Sequence, residues 1–161
     1  MERVAVEALD PSHPASDVDR RGLTDPLDAD DLALNYYALD PGEASSGGLH
    51  THYDQEEVFY VMEGTATFET MADPTADAET VEVSAGEAVR FAPGEFQQGR
   101  NESDERVTAL ALGAPTPSMD VRVPTSRTDC PACDDADTLA VEMSDEATIL
   151  RCPECGTELS V

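Results

Sequence analysis

The sequence predicts an all-β fold, an antiparallel barrel or sandwich with a small metal-stapled appendage, and three observations carry that expectation. From Leu32 to Leu112, short β-branched and aromatic runs are separated by Gly and Pro turns, which is how antiparallel sheets that close on themselves are written. No stretch of helical period competes with them. Near the C-terminus, Cys130-Pro131-Ala132-Cys133 and Cys152-Pro153-Glu154-Cys155 stand eighteen residues apart, a layout that suits four converging thiolates.

Taken in order, residues 1–30 are a lead-in. Val4-Ala5-Val6 is apolar, but Pro11, Pro14 and Pro26 follow closely and exclude a long helix, leaving room for one edge strand. His13, between prolines, reads as a solvated loop residue. The barrel spans 31–112. Leu32–Leu39 is its first strand, ended by Asp40-Pro41-Gly42, and Glu57–Met62 is a second strand rich in β-branched and aromatic residues. Gly64 turns the chain into Thr65–Met71, an alternating strand expected to form a hairpin with the one before it. Met71–Ala78 is an acidic loop. Strands at Thr80–Val83, Ala88–Phe91, Phe96–Gln98 and Arg106–Leu112 complete the set. Residues 113–127 read as a linker by composition, although Val121–Pro124 is extended and able to pack on the barrel. Residues 128–161 form the appendage.

The chemistry concentrates in Gly48-Leu49-His50-Thr51-His52-Tyr53-Asp54-Gln55-Glu56-Glu57. In an extended chain His50 and His52 leave the same face, and Glu57 shares a face with Phe59 and Val61. A carboxylate among apolar side chains is costly unless it is paired or bound to a metal. Two imidazoles and one carboxylate are the ligand set of an open-sided transition-metal centre. The order His-x-His, four residues, Glu, six residues, Gly64 resembles the first motif of the cupin superfamily. Gly86, Pro93-Gly94 and Asn101 resemble its second motif, with Gln97 standing where that family has its third histidine. The resemblance covers residues 30 to 112. It implies a double-stranded β-barrel, or jelly roll, of the small single-barrel type with a metal inside, held by His50, His52, Glu57 and either Gln97 itself or a water that Gln97 binds. The ion would be divalent iron, manganese, nickel or zinc. The resemblance also implies a small-molecule ligand and a homodimer. It leaves open whether the barrel is an enzyme, of dioxygenase or isomerase type, or a non-catalytic binding or sensory module.

The cysteine segment resembles a zinc ribbon. A redox Cys-x-x-Cys opens a helix in a βαβ unit, and neither pair here does. Cys130, Cys133, Cys152 and Cys155 are therefore expected to hold a structural zinc, brought together by a hairpin of Thr138–Met143 and Ala147–Leu150 with Ser144-Asp145-Glu146 between them. About 30 residues cannot bury a core unaided. A closed four-thiolate site is scaffold chemistry, which suits docking to a protein partner.

Composition bounds the rest. Of 161 residues, 35 are acidic and nine basic, all nine arginine, for a net charge of −26. This resembles the proteins of salt-in halophilic microbes, where molar salt shortens the Debye length to about 3 Å and suppresses self-repulsion. Nucleic acid is a poor partner for such a chain. No apolar run approaches a membrane span, no secretory signal opens the sequence, and a cytoplasmic location with reduced thiols is the expectation. The thermal midpoint should accordingly rise steeply with potassium chloride up to molar levels. A flat profile by circular dichroism would return the chain to the ordinary acidic class.

Overall fold

The computed structural model describes residues 1–11, 18–143 and 147–160; the expectations for His13 and for the Ser144-Asp145-Glu146 turn lie outside the described residues. Strand follows strand throughout, with single 3-10 turns at Val6–Ala8 and Asp25–Leu27. One antiparallel sheet contains β1 (Asp19–Gly22), β2 (Ala33–Leu39), β4 (Glu56–Glu63), β7 (Ala88–Phe91) and β9 (Val107–Ala114), in the order β1-β2-β9-β4-β7. Facing it are β5 (Thr65–Met71), β6 (Glu79–Ser84) and β8 (Phe96–Arg100), ordered β6-β5-β8. A third ladder runs β13-β12-β11-β10-β3, from Glu158–Ser160 through Thr148–Arg151, Thr138–Met143 and Val121–Pro124 to Thr51–His52. The second and third are joined by a bridge at His50, whose N–H and C=O bond Gln97 O and N at 3.2 and 2.7 Å.

The core fills the space between the facing sheets: Tyr37, Leu39, Phe59, Val61, Phe68, Phe91 and Val107 are buried together. Phe59 and Phe68 rings lie 4.9 Å apart and tilted, the favoured aromatic arrangement. The register fixes which residues face inward. Phe59 pairs with Ala111, which pairs with Asn35, and Glu57 pairs with Gly113 and Phe91. Strand β9 thus lines the interior with Ala109, Ala111 and Gly113, small residues that leave volume where larger ones would close the barrel.

The expected β4–β5 hairpin does not form. Both edges of β4 are taken, by β7 and β9, and β5 pairs instead with β6 and β8 in the facing sheet. Gly64 carries the chain over that corner at φ +75°, where an added Cβ would stand 2.7 Å from Arg106 O and 3.0 Å from Val107 Cγ2. A side chain there is excluded both by backbone conformation and by contact with rigid backbone.

At the C-terminal end, β11 and β12 form the expected hairpin and β13 adds a third strand that the sequence reading missed. Cys130, Ala136, Leu139, Leu150 and Cys152 make a second small core, against which Val123 of β10 packs. Strand β10 also pairs with β3, so it touches the four-cysteine unit on one edge and the barrel on the other. Gly64→Ala should lower stability by about 2 kcal/mol or more and the thermal midpoint by about 5 °C. An unchanged melt would mean that the corner relaxes without cost.

Candidate metal centres

His50, His52 and Glu57 converge inside the barrel, their ligand atoms all within 4.8 Å of one another. They arrive from facing layers: His50 and His52 from the bridge and β3, Glu57 from β4. The imidazole rings are 5.3 Å apart and nearly perpendicular, at 79°, and His52 Nε2 stands 3.9 Å from Glu57 Oε2. The site keeps contact with solvent, since the His52 and Glu57 side chains are 17% and 15% exposed.

Each imidazole is held by its other nitrogen. His50 Nδ1 lies 3.0 Å from Gly48 O, a carbonyl that only accepts, so Nδ1 carries the proton and Nε2 presents a lone pair to the interior. His52 Nδ1 lies 2.9 Å from Ser118 Oγ, and that hydroxyl donates its one proton to Asp54 Oδ1 at 2.7 Å. Ser118 must then accept from His52 Nδ1–H, which again frees Nε2. Asp54 is anchored by Met119 N–H at 2.6 Å. Burial works to raise its carboxyl, but the Met119 and Ser118 hydrogen bonds outweigh it and hold the group below its ordinary value.

Burial is the first cause of the electrostatics at all three ligands. It lowers His50, lowers His52 to about 4 with help from the neighbouring His50, and pushes Glu57 up to about 7 against the pull of Arg20 and Gln97. Neutral imidazoles are the metal-binding form. A carboxylate whose charge is penalised by burial is one that a nearby cation would stabilise.

Gln97 points inward, 2% exposed. Its Nε2 is 2.8 Å from Glu57 Oε2 and 3.2 Å from His50 Nε2, while its buried Oε1 has no hydrogen-bond partner among the described residues. The amide N–H groups therefore stand against two of the three ligand atoms, where a cation would be placed. Turned over, the amide would offer Oε1 to the same point. With that orientation the donor set fits a metal with Gln97 as an oxygen donor beside it.

Sequence reasoning identified His50, His52, Glu57 and Gln97, and the structure brings them together. It did not identify Ser118, since only the β3–β10 pairing carries residue 118 back to His52. Nor did it assign a role to Gln55, which is buried beside Glu57, donates to the Pro115 carbonyl, and fits because Gly113 lacks a Cβ. Asn101 is satisfied structurally, donating to Leu39 O and Glu105 O and accepting from Ser103. Two surface clefts of about 400 and 340 Å³, lined by Pro41–Gly42 with Arg100–Asp104 and by Leu9–Asp10 with Gly22–Pro26, contain none of the site residues.

The second centre is the cysteine cluster. Cys130 and Cys155 sulfurs are 3.6 Å apart, Cys133 and Cys152 3.6 Å, and Cys130 and Cys133 3.8 Å. A disulfide would need about 2.05 Å. A tetrahedron with metal–sulfur bonds of about 2.3 Å has edges of about 3.8 Å, so the four thiols fit a tetrahedral zinc site. Cys155, near the Thr157 hydroxyl and N–H, has its thiol pulled down to about 6.

Residues 35–113 match the family model described as a cupin domain. Among solved structures, a protein from Silicibacter pomeroyi described as a sugar phosphate isomerase from a cupin superfamily is similar at 18% identity and TM-score 0.67, over 96% of this chain and 94% of that one. A Klebsiella pneumoniae protein with a double-stranded β-helix domain matches at 19% identity and TM-score 0.55, over 73% of this chain and 92% of that one. A Bacillus subtilis oxalate decarboxylase variant matches at 18% and 0.60, over 71% of this chain and 30% of that one. These identities speak for the fold alone. A search of curated proteins found no significant match.

Ser118→Ala should weaken metal binding in the barrel by about 10- to 100-fold, as loss of a hydrogen bond that orients a ligand does; titration with Mn²⁺ measures it, and an unchanged affinity would show that Gly48, Asp54 and packing suffice. Cys155→Ser should release the ribbon metal and strip amide-exchange protection from β11–β13 while β2, β4 and β9 keep theirs.

Proposed function

We propose that the barrel, whose residues 35–113 match the cupin domain model, binds a divalent transition metal through His50, His52 and Glu57, with Gln97 as an added oxygen donor, and presents it to a small oxygen-bearing molecule. The observation that carries this reading is the convergence of two imidazoles, each with its outer nitrogen tied down, on one half-buried carboxylate. When bound, such an ion supplies Lewis acidity toward a ligand oxygen. The chain does the rest. Gly48 and Ser118 fix the tautomers, burial keeps the imidazoles neutral, and Phe91, which pairs with Glu57 across β7, ties the site to the buried core. Chemistry of dioxygenase or isomerase type is within reach of this donor set. The four-cysteine unit is a structural zinc ribbon in this reading, and the chain divides into a lead-in, a barrel and a ribbon joined through β10.

A second reading, a non-catalytic ligand-binding or sensory barrel whose ribbon docks a protein partner, draws on one observation. The inward-facing Tyr37 has its phenol pushed up by burial, and His50, His52 and Glu57 are committed as ligands, so none of these four is a free base at neutral pH.

Metal titrations of the wild type and two variants test the centre, with the ribbon zinc counted separately. Glu57→Gln removes the one anionic ligand and should cost more than the 10- to 100-fold typical of an orienting partner, about 100-fold at least. Gln97→His should raise affinity for nickel and copper over manganese by replacing a hard oxygen donor with nitrogen. If neither substitution changes metal content, the barrel holds no metal and the reading fails. Turnover or a co-purified ligand in the metal-loaded protein separates enzyme from sensor.

A further inference from the structure

Strand pairing directs the charged side chain of Arg20 into the barrel, on the sheet that also carries Glu57. In β1 it pairs with Tyr37 and Gly22 pairs with Asn35, so Arg20 shares the inward face of Tyr37 and Asn35, whereas Asp19 and Arg21 point out. Its Nε and Nη2 both donate to Asn35 Oδ1, at 3.3 and 3.2 Å. The guanidinium carbon stands 5.8 Å over the Tyr37 ring. The head group is therefore fixed along one edge and one face, while Nη1 makes no hydrogen bond among the described residues.

Arg21, Arg90, Arg106, Arg122, Arg127 and Arg151 each have a carboxylate within ion-pair distance, and Arg20 has none among the described residues. In a chain with 35 acidic and nine basic residues, a half-buried arginine held by an amide is not explained by a shortage of partners. It is close enough to the centre to act electrostatically on both His50 and Glu57.

We propose that Arg20 is an anion-binding residue of the barrel site, held by Asn35 and Tyr37 to receive the oxyanion end of a small ligand whose other oxygen reaches the metal. The inference rests on the proposed metal centre. With a divalent ion in place the local charges are +2 from the ion, −1 from Glu57 and +1 from Arg20, leaving +2, which matches a dianion. Molecules with a carboxylate or phosphate at one end and a metal-binding oxygen at the other fit this arrangement, and the open Nη1 side of a guanidinium suits either group. Inside a barrel the low dielectric strengthens this local field against the chain's overall negative charge.

Calorimetric titration of the full-length, Mn²⁺-loaded protein at fixed potassium chloride tests it, with malonate as the carboxylate probe and inorganic phosphate as the phosphate probe. At least one should bind the wild type, and whichever binds more tightly assigns the class. Arg20→Gln should weaken that probe by about 10- to 100-fold at unchanged Mn²⁺ content. Arg20→Lys should keep part of the affinity. Arg21→Gln removes the same charge from the outer face of the same strand and should have no effect. Failure of both probes to bind the Mn²⁺-loaded wild type would overturn the proposal while leaving the metal centre standing. So would equal losses in Arg20→Gln and Arg21→Gln, which would reduce the effect to net charge. A fall in Mn²⁺ affinity with probe affinity per bound metal unchanged would make Arg20 a counter-charge for Glu57 and overturn it as well. If the wild type takes up no barrel metal, the reading on which the inference rests fails first, and the metal count alone identifies that case.

Discussion

Two backbone hydrogen bonds, from His50 N–H to Gln97 O and from Gln97 N–H to His50 O, hold together what would otherwise be separate sheets. A reciprocally bonded antiparallel pair places its two side chains next to each other on one face, so His50 and Gln97 are adjacent by construction. Once His50 is fixed, alternation puts His52 on the same side and β3 presents its outer edge to β10. The opposite sheet supplies Glu57 at a depth set by its pairing with Gly113 and Phe91. The site is thus a consequence of one bridge and one register.

Electrostatics inside and outside the barrel follow different rules. The surface carries most of the acid load, with arginine–carboxylate pairs that are exposed and individually worth little. Inside, three ionisable ligands all have their charged forms penalised by burial, which is offset in part by the Arg20 charge and the Gln97 amide at Glu57, by the Gly48 carbonyl at His50, where Arg20 adds to the penalty, and by Asp54 at His52. A fold with an excess of carboxylates has therefore placed one of them where ionisation is difficult, together with a cation-shaped set of neutral donors.

The four-cysteine unit is coupled to the barrel by more than a covalent connection. Strand β10 bonds β3 on one side and β11 on the other, and Val123 packs into the cysteine core. The segment just before β10 turns back so that Ser118 and Met119 reach Asp54, and Ser118 reaches His52. Metal in the ribbon would stabilise β11–β13 and, through β10, the edge of the strand that bears His52. The route is a run of backbone pairing, which is physically continuous from the cysteines to the imidazole.

The sequence by itself determined the strand-rich class, most of the strands and the two Cys-x-x-Cys pairs, and its resemblance to the cupin motifs singled out His50, His52, Glu57 and Gln97. These depend on period-2 alternation, on turn residues and on fixed spacing, all of which are local. What it could not determine was pairing between distant strands. The expectation that β5 would fold back on β4 failed because Gly64 and the strands already flanking β4 send β5 to the other sheet, and nothing near residue 64 in the chain records that β7 and β9 have taken both edges. Ser118, Gln55 and Arg20 were missed for the same reason. Their roles come from contacts 66, 60 and 15 residues away, to His52, Pro115 and Asn35, and such contacts are decided only when the sheets close. Tertiary structure alone turned a proline-rich connection and a lead-in strand into parts of the site.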